Sequence, residues 1–246
     1  MREKIVQKIS TYDPNAGIVL VGSRCLAHVA NPQDWDVVAV SAHQQLGELL
    51  KQRDSEYVMT SDDSLRFDIE GTEVGIVPLH TTEFRRRIDV VLKGEDLSLI
   101  YKPWAIGLVA PEGFLGEISQ GEVIRDMPDN LIAFYRQQLF PYSDALKQQI
   151  VEACTQDISG RIEQIKKALS RKDMISVTCV KSTIIFLILR LLVALEGKYF
   201  SGTKHNTEWP FLKNLNAKRE LDILVRAEVD SSWVRDIERL LLTLSL

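Results

Sequence analysis

The sequence predicts an α+β fold, in which a mixed sheet with helices over residues 1–110 is followed by an all-α helical bundle over residues 111–246. The first part contains short β-branched apolar runs separated by turn clusters, a pattern typical of strands. The second part repeats apolar residues at spacings of three or four, as one face of a helix does. With 45% hydrophobic residues among 246, the chain can bury the core that such a protein needs.

The predicted elements of the first part alternate between helix and strand. They are a helix over 2–11, strands at 18–21 and 35–40, a helix around 46–50, and a meander of strands over 57–79. The tightest turn of the meander is Ile69-Glu70-Gly71-Thr72, since Gly71 tolerates positive φ. A mixed segment beyond Phe84 connects the two parts.

Three segments of the second part are predicted to be helices. They are a long amphipathic helix over 146–169 with Gly160 as its one soft point, a helix over 174–195 that Gly197 ends, and a closing helix over 233–244. The stretch 198–209 is a polar loop. Residues 184–195 are the longest apolar run, but they are too few to cross a bilayer core of roughly 30 Å, so we expect a buried core helix.

Composition sets limits on location and partners. The formal net charge is −4 and neither sign forms a long block, which disfavours general nucleic-acid binding. The three cysteines are widely separated, and the first residues lack the apolar region of a signal peptide. We therefore expect a cytoplasmic protein with no membrane partner, for which a homodimer through the helical part is an open alternative.

The strongest local motif is Gly22-Ser23-Arg24, followed eleven residues after Ser23 by Asp34-Trp35-Asp36. A Gly-Ser turn at the end of a buried strand lets backbone N–H groups and a hydroxyl approach phosphate oxygens closely, and Arg24 adds a charged donor. Side chains two apart in a strand share a face, so Asp34 and Asp36 lie together. Two adjacent carboxylates repel unless a cation separates them, and magnesium suits carboxylates and triphosphate oxygens.

These residues resemble the signature of the nucleotidyltransferase superfamily of DNA polymerase β, a Gly-Ser followed after about ten residues by Asp-x-Asp. Within it, the chain is similar to the small bacterial group with a helical C-terminal domain, such as kanamycin and lincosamide nucleotidyltransferases. The resemblance implies that Gly22 and Ser23 hold a nucleoside triphosphate such as ATP, and that Asp34 and Asp36 hold two magnesium ions. The implied reaction is attack by an acceptor hydroxyl on the α-phosphate, releasing pyrophosphate.

One position departs from that family. Its members carry a third carboxylate on a later strand, and Gly75 stands where that residue is expected. If Glu70-Gly71 is a two-residue turn, Asp68 lies opposite Glu73 and on the same face as Gly75. Asp68 is therefore the predicted third catalytic carboxylate, with Glu73 as its alternative.

Other interpretations of these residues stay open. Gly22-Ser23 is also what an ordinary strand-to-helix turn looks like, and Asp34 and Asp36 also suit solvated loop carboxylates. A protein that lacks the third carboxylate can bind a nucleotide or a partner without turnover, and a scaffold protein would bind no nucleotide. The acidic balance favours a small molecule or protein over RNA as acceptor. The run Arg85–Arg87 and the pair Lys204/His205 are predicted to be solvated rather than ligand-binding.

Overall fold

The computed structural model describes residues 1–25, 34–43, 46–53, 58–61, 64–95, 97–98, 100–102, 107–200 and 215–244. The strands in these ranges are β1 (Gly17–Val21), β2 (Trp35–Ser41), β3 (Val58–Ser61), β4 (Ser64–Ile69), β5 (Thr72–His80), β6 (Ile100–Lys102), β7 (Gly107–Val109) and β8 (Glu122–Arg125). The helices are α1 (Arg2–Ser10), α2 (Leu46–Arg53), α3 (Thr81–Leu92), α4 (Glu112–Gln120), α5 (Leu131–Gln138), α6 (Asp144–Ser170), α7 (Met174–Leu195), α8 (Leu215–Arg226) and α9 (Ser231–Thr243).

Six of these strands form a mixed sheet in the order β3-β4-β5-β2-β1-β8. The pair β2–β5 is parallel, and the other neighbours are antiparallel. Strands β6 and β7 form a separate antiparallel pair. The predicted α+β class, a mixed sheet with helices followed by a helical region, is confirmed.

The turn predicted within the meander joins β4 to β5. Ile69 pairs with Thr72, so the loop has two residues, Glu70 and Gly71, and both have positive φ, 53° and 77°. Positive φ at both central residues is the geometry that matches the twist of a hairpin. The turn thereby fixes the register of β4 against β5, in which Asp68 lies opposite Glu73 as predicted.

The sheet buries both of its faces, and alternate residues of each strand face different cores. One face of the sheet packs with α1 and α2. Its residues include Ile18, Leu20, Val37, Ala39, Val74 and Ile76. The opposite face packs with α3 to α9. Its residues include Val19, Val21, Val38, Val40 and Leu79. By this alternation Asp36, two residues before Val38, lies on the face that the helical part covers.

The three predicted helices of the second part are present as α6, α7 and α9, and α6 runs unbroken through Gly160. Ser143 Oγ accepts a hydrogen bond from the Leu146 N–H at the start of α6, and Asp173 accepts one from Ser176 at the start of α7. Gly197, at φ 67°, follows the end of α7. Helices α6 and α7 pack side by side and are joined by only a short connection, residues 171–173.

Within the described ranges, α7 alone is long and apolar enough to span a membrane. Of its most apolar window, 61% is buried inside the protein, and the core helix of a soluble protein meets the same criteria. Residues 186–194 are all buried. The expected burial of the long apolar run is confirmed.

Several elements are absent from the sequence prediction. They are α3, α4, α5, α8 and the short strands β6, β7 and β8. Strand β8 pairs with β1 at the sheet edge, although it follows the predicted boundary at residue 110. The division into 1–110 and 111–246 stays a prediction. The loop predicted over 198–209 lies largely outside the described residues, as do Lys204 and His205.

A buried ion pair joins α7 to the start of α4. Arg190 of α7 donates to both carboxylate oxygens of Glu112 at the start of α4, at 2.6 and 2.8 Å, and to the Leu97 carbonyl at 2.9 Å. The side chains of Arg190 and Glu112 are only 2% and 1% exposed. Neither charge has access to water, so each depends on the other for its neutralisation.

We expect Glu112→Ala to lower the free energy of unfolding by about 3–5 kcal/mol, because it leaves the Arg190 guanidinium buried without its counter-charge. Urea denaturation measures the loss. The control is Asp236→Ala, which removes a carboxylate that pairs with Arg239 at the surface, at 3.1 Å, and should change stability by no more than about 0.5 kcal/mol. Equal losses in the two variants would contradict the importance of the buried pair.

Candidate functional site

The predicted phosphate turn lies directly at the end of β1. Gly22 to Cys25 form a short 3-10 helix, and residues 26–33 that follow it are outside the described part of the chain. Gly22 has a φ of 73°, which L side chains rarely adopt. Ser23 is half-buried in the same turn. The glycine permits the chain to leave the sheet sharply at this point.

Asp36 contacts this turn. It lies in β2, in register with Val21 at the end of β1 and with Gly75 in β5. A Cβ added to Gly22 would lie 2.8 Å from Asp36 Oδ2, and one added to Gly75 would lie 2.7 Å from Asp36 Oδ1. One carboxylate oxygen therefore faces the predicted phosphate turn, and the other faces β5.

Asp34 immediately precedes β2 and is half-buried, as Asp36 is. Its carbonyl accepts a hydrogen bond from Arg24 Nε at 2.9 Å, and the Arg24 guanidinium carbon lies 4.3 Å from the centre of the Trp35 ring. Arg24 thereby ties the turn after β1 to the start of β2. Its predicted contact with phosphate stays a prediction.

Cys25, at the end of the same turn, donates its thiol to the Leu20 carbonyl at 3.0 Å. Burial is the main cause that raises the pKa of this thiol. A raised pKa leaves less thiolate at neutral pH, so Cys25 is poorly suited to nucleophilic chemistry.

Asp68 lies on the same face as Gly75, in register with Glu73. Its Oδ1 accepts a hydrogen bond from the Gly71 N–H at 2.7 Å, and the side chain is exposed. The carboxylate thus caps the turn between β4 and β5, and the pair Asp68/Glu73 is displaced two residues along the strands from Gly75. Its role as third catalytic carboxylate stays a prediction.

Arg66 is the residue at this site that the sequence analysis missed. It lies in β4 opposite Gly75, and its Nη1 donates to Glu73 Oε1 at 2.9 Å and lies 3.6 Å from Asp36 Oδ1. A signal for it existed, because the two-residue turn that places Asp68 opposite Glu73 also places Arg66 opposite Gly75.

The expected two-magnesium site stays a prediction. Across the described ranges, no group of three or more His, Cys, Asp or Glu side chains is arranged to hold a metal. Carboxylates such as those of Asp34 and Asp36 are the groups that magnesium takes when a triphosphate and water complete its octahedron. On the other side of Asp36 stands a guanidinium, where a second ion would meet a positive charge.

The run Arg85–Arg87 lies in α3, and each of its residues has a carboxylate partner. Arg86 and Arg87 donate to Glu83 at 2.7 and 2.8 Å, and Arg85 lies 3.9 Å from Asp129. The hydrogen bond from Arg86 is the main cause that lowers the pKa of Glu83 to about 2. The run is thus built into ion pairs at the protein surface.

Comparison with known proteins supports the fold. Neither a protein-family model nor a curated protein matches the chain. Among solved structures, a nucleotidyltransferase-like protein from Exiguobacterium sibiricum 255-15 is similar, with a TM-score of 0.51 and 13% sequence identity over 97% of this chain and 75% of that one. At this identity the likeness shows the fold alone. The chain has a nucleotidyltransferase-like fold, and the kanamycin or lincosamide subgroup stays a prediction.

We expect Gly22→Ala to destabilise the protein more than Gly71→Ala does. Both glycines have nearly the same positive φ, 73° and 77°, but a Cβ meets Asp36 at Gly22 and nothing within 4 Å at Gly71. Gly71→Ala should lower the free energy of unfolding by about 1–2 kcal/mol, the cost of this backbone conformation. Gly22→Ala should lower the free energy of unfolding by about 1 kcal/mol more than Gly71→Ala does, because the Asp36 side chain must leave its rotamer. Urea denaturation of both variants measures the difference, and equal losses would show that the Gly22–Asp36 contact carries no constraint.

Proposed function

We propose that the protein is a nucleotidyltransferase that moves a nucleoside monophosphate from a nucleoside triphosphate to an acceptor hydroxyl and releases pyrophosphate. Gly22, Ser23 and Arg24 bind the β- and γ-phosphates, and Asp34 and Asp36 hold magnesium. The fold supports this class of reaction, as does the position of these residues where the end of β1 meets the start of β2.

The observation that carries the proposal is the contact between Asp36 and Gly22. A turn suited to phosphate and a carboxylate suited to magnesium are within contact of each other, with Asp36 Oδ2 directed at the glycine. Since magnesium in such sites binds a carboxylate and substrate phosphate together, the two features need this proximity. When bound, the ion would neutralise charge on the phosphate oxygens as the α-phosphate transfers.

The chain's own groups account for orientation on the donor side. Backbone N–H groups of the turn and the Ser23 hydroxyl would fix the phosphates, and Arg24, held on Trp35, would bring a positive charge to the same turn. On the acceptor side, Asp68 is the proposed third carboxylate. The Gly71 N–H binds Oδ1 of Asp68, and Oδ2 would accept a hydrogen bond from the acceptor hydroxyl.

The acceptor is proposed to be a small molecule or a protein rather than RNA. The chain has a net charge of −4, and its Arg85–Arg87 run is engaged by Glu83 and Asp129. Binding a nucleic-acid backbone relies on positive charge, and each arginine of this run already has a carboxylate partner that offsets its charge.

A second candidate function is nucleotide binding without turnover. It is favoured by Gly75, which stands where the resemblance implies a carboxylate, and by Arg66, whose guanidinium lies over that position. Both candidates require the same donor site. They differ in whether a hydroxyl on the acceptor side is activated.

Calorimetric titration with ATP and the other nucleoside triphosphates, with and without magnesium, tests the donor site. We expect magnesium-dependent binding to the native chain and loss of at least tenfold in affinity in Asp34→Ala/Asp36→Ala, since that variant loses both carboxylates that hold the ion. The matched control is Asp157→Ala/Asp222→Ala, which removes two exposed carboxylates from α6 and α8 and should bind as the native chain does.

The outcomes separate the candidates. If no triphosphate binds, both nucleotide functions are wrong and a scaffold role remains. If triphosphate binds, pyrophosphate release is measured against a panel of hydroxyl-bearing small molecules and proteins. Release that Asp34→Ala/Asp36→Ala abolishes supports the transferase, and binding without release from any acceptor supports the second candidate.

A further inference from the structure

Arg66 reaches its partner across an intervening strand. It belongs to β4, Asp36 belongs to β2, and β5 lies between them. Adjacent strands are about 4.8 Å apart, so the guanidinium crosses one strand spacing to lie over β5, where it meets Asp36 Oδ1. It can do so because β5 carries Gly75 at that level, where an added Cβ would lie 3.3 Å from both Arg66 Cζ and Nη1.

The guanidinium is held at that place from two sides. Glu73 Oε1 accepts a hydrogen bond from Nη1 at 2.9 Å, and Asp36 Oδ1 lies 3.6 Å from the same nitrogen. The Arg66 side chain is 26% exposed, so it lies partly within the site rather than free on the surface. Its position is set by these carboxylates and by the absence of a side chain at Gly75.

The two oxygens of Asp36 therefore face different surroundings. Oδ2 faces Gly22 and the phosphate turn, and Oδ1 faces Gly75 and Arg66. A divalent ion on the Oδ1 side would lie a few ångströms from a fixed positive charge. The repulsion between the two would weaken binding of the ion on that side several-fold to many-fold.

We propose that Arg66 is the resident cation of the site: it neutralises Asp36 on the Oδ1 side, excludes a second divalent ion there, and leaves Oδ2 for one ion bound with the triphosphate. This inference rests on the proposed donor site. Arg66 is a positioning residue, since it acts through Asp36 and the charge around it.

The test is a titration of the full chain with Mn²⁺ alone, with free Mn²⁺ followed by electron paramagnetic resonance. Arg66→Gln removes the positive charge and should bind Mn²⁺ at least tenfold more tightly than the native chain. Arg66→Lys keeps a positive charge and should stay within about twofold of the native affinity. Arg86→Gln is the matched control, since it removes an arginine that pairs with Glu83 on α3, and it should also leave the affinity unchanged.

An increase in affinity cannot come from damage to the fold, because a disordered site binds metal more weakly. If Arg66→Gln does not fold, Arg66→Thr removes the same charge with a residue that strands favour. The proposal is overturned if the neutral variant binds Mn²⁺ no more tightly than the native chain does. No nucleotide is present, so failure of this test is distinguishable from failure of the triphosphate titration.

Discussion

The site depends on the confinement of one carboxylate between two glycines. Asp36 lies on β2 between Gly22, at the end of β1, and Gly75 in β5, and a Cβ on either glycine would come within 2.8 Å of an Asp36 oxygen. Such distances are shorter than any ordinary contact between a carbon and an oxygen. The absence of two side chains therefore makes room for both carboxylate oxygens in this orientation, which sets the sides on which other charges can approach.

The strand that carries Asp36 also determines where the site meets solvent. Trp35 and Asp36 are half-buried, and every residue from Val37 to Ser41 is buried. On the face that Asp36 shares with Val38 and Val40, these two later residues pack in the core with the helical part of the chain. A carboxylate at the second residue of the strand thus avoids the desolvation cost that a charge deeper in the core would have. The buried remainder of β2 keeps its position rigid.

Periodicity in the sequence was sufficient to predict the elements with strong, uninterrupted patterns. The hairpin at Glu70-Gly71 and the helix α7 follow from local residue types alone. Helix α3 was missed because three consecutive arginines conceal its buried residues, Phe84, Ile88 and Val91, which have helical spacing. Strand β8 was missed since its four residues, with little burial, carry almost no signal before a partner strand is known.

The candidate site was predictable to the extent that it depends on neighbouring residues. The spacing of Gly22-Ser23 and Asp34/Asp36 indicated a common location, and the pairing of Val21 with Asp36 is the physical reason for it. The division of the two Asp36 oxygens between β1 and β5 was not predictable, because it depends on strand order, which local sequence does not determine. The sheet places β2 between β1 and β5 by a parallel pairing that no short-range pattern specifies.

The charge beside Asp36 is in turn a consequence of the length of one turn. With two residues between Ile69 and Thr72, Arg66 lies opposite Gly75 and on the face of Asp36. A shift of one residue in this pairing would move Arg66 to the opposite face, among the residues that pack with α1 and α2. A carboxylate at position 75 would also change the charge around Asp36. It would meet the Arg66 guanidinium and form an ion pair with it before it could bind a metal ion. Gly75 and Arg66 therefore act together, and the glycine is required for the arginine to reach Asp36.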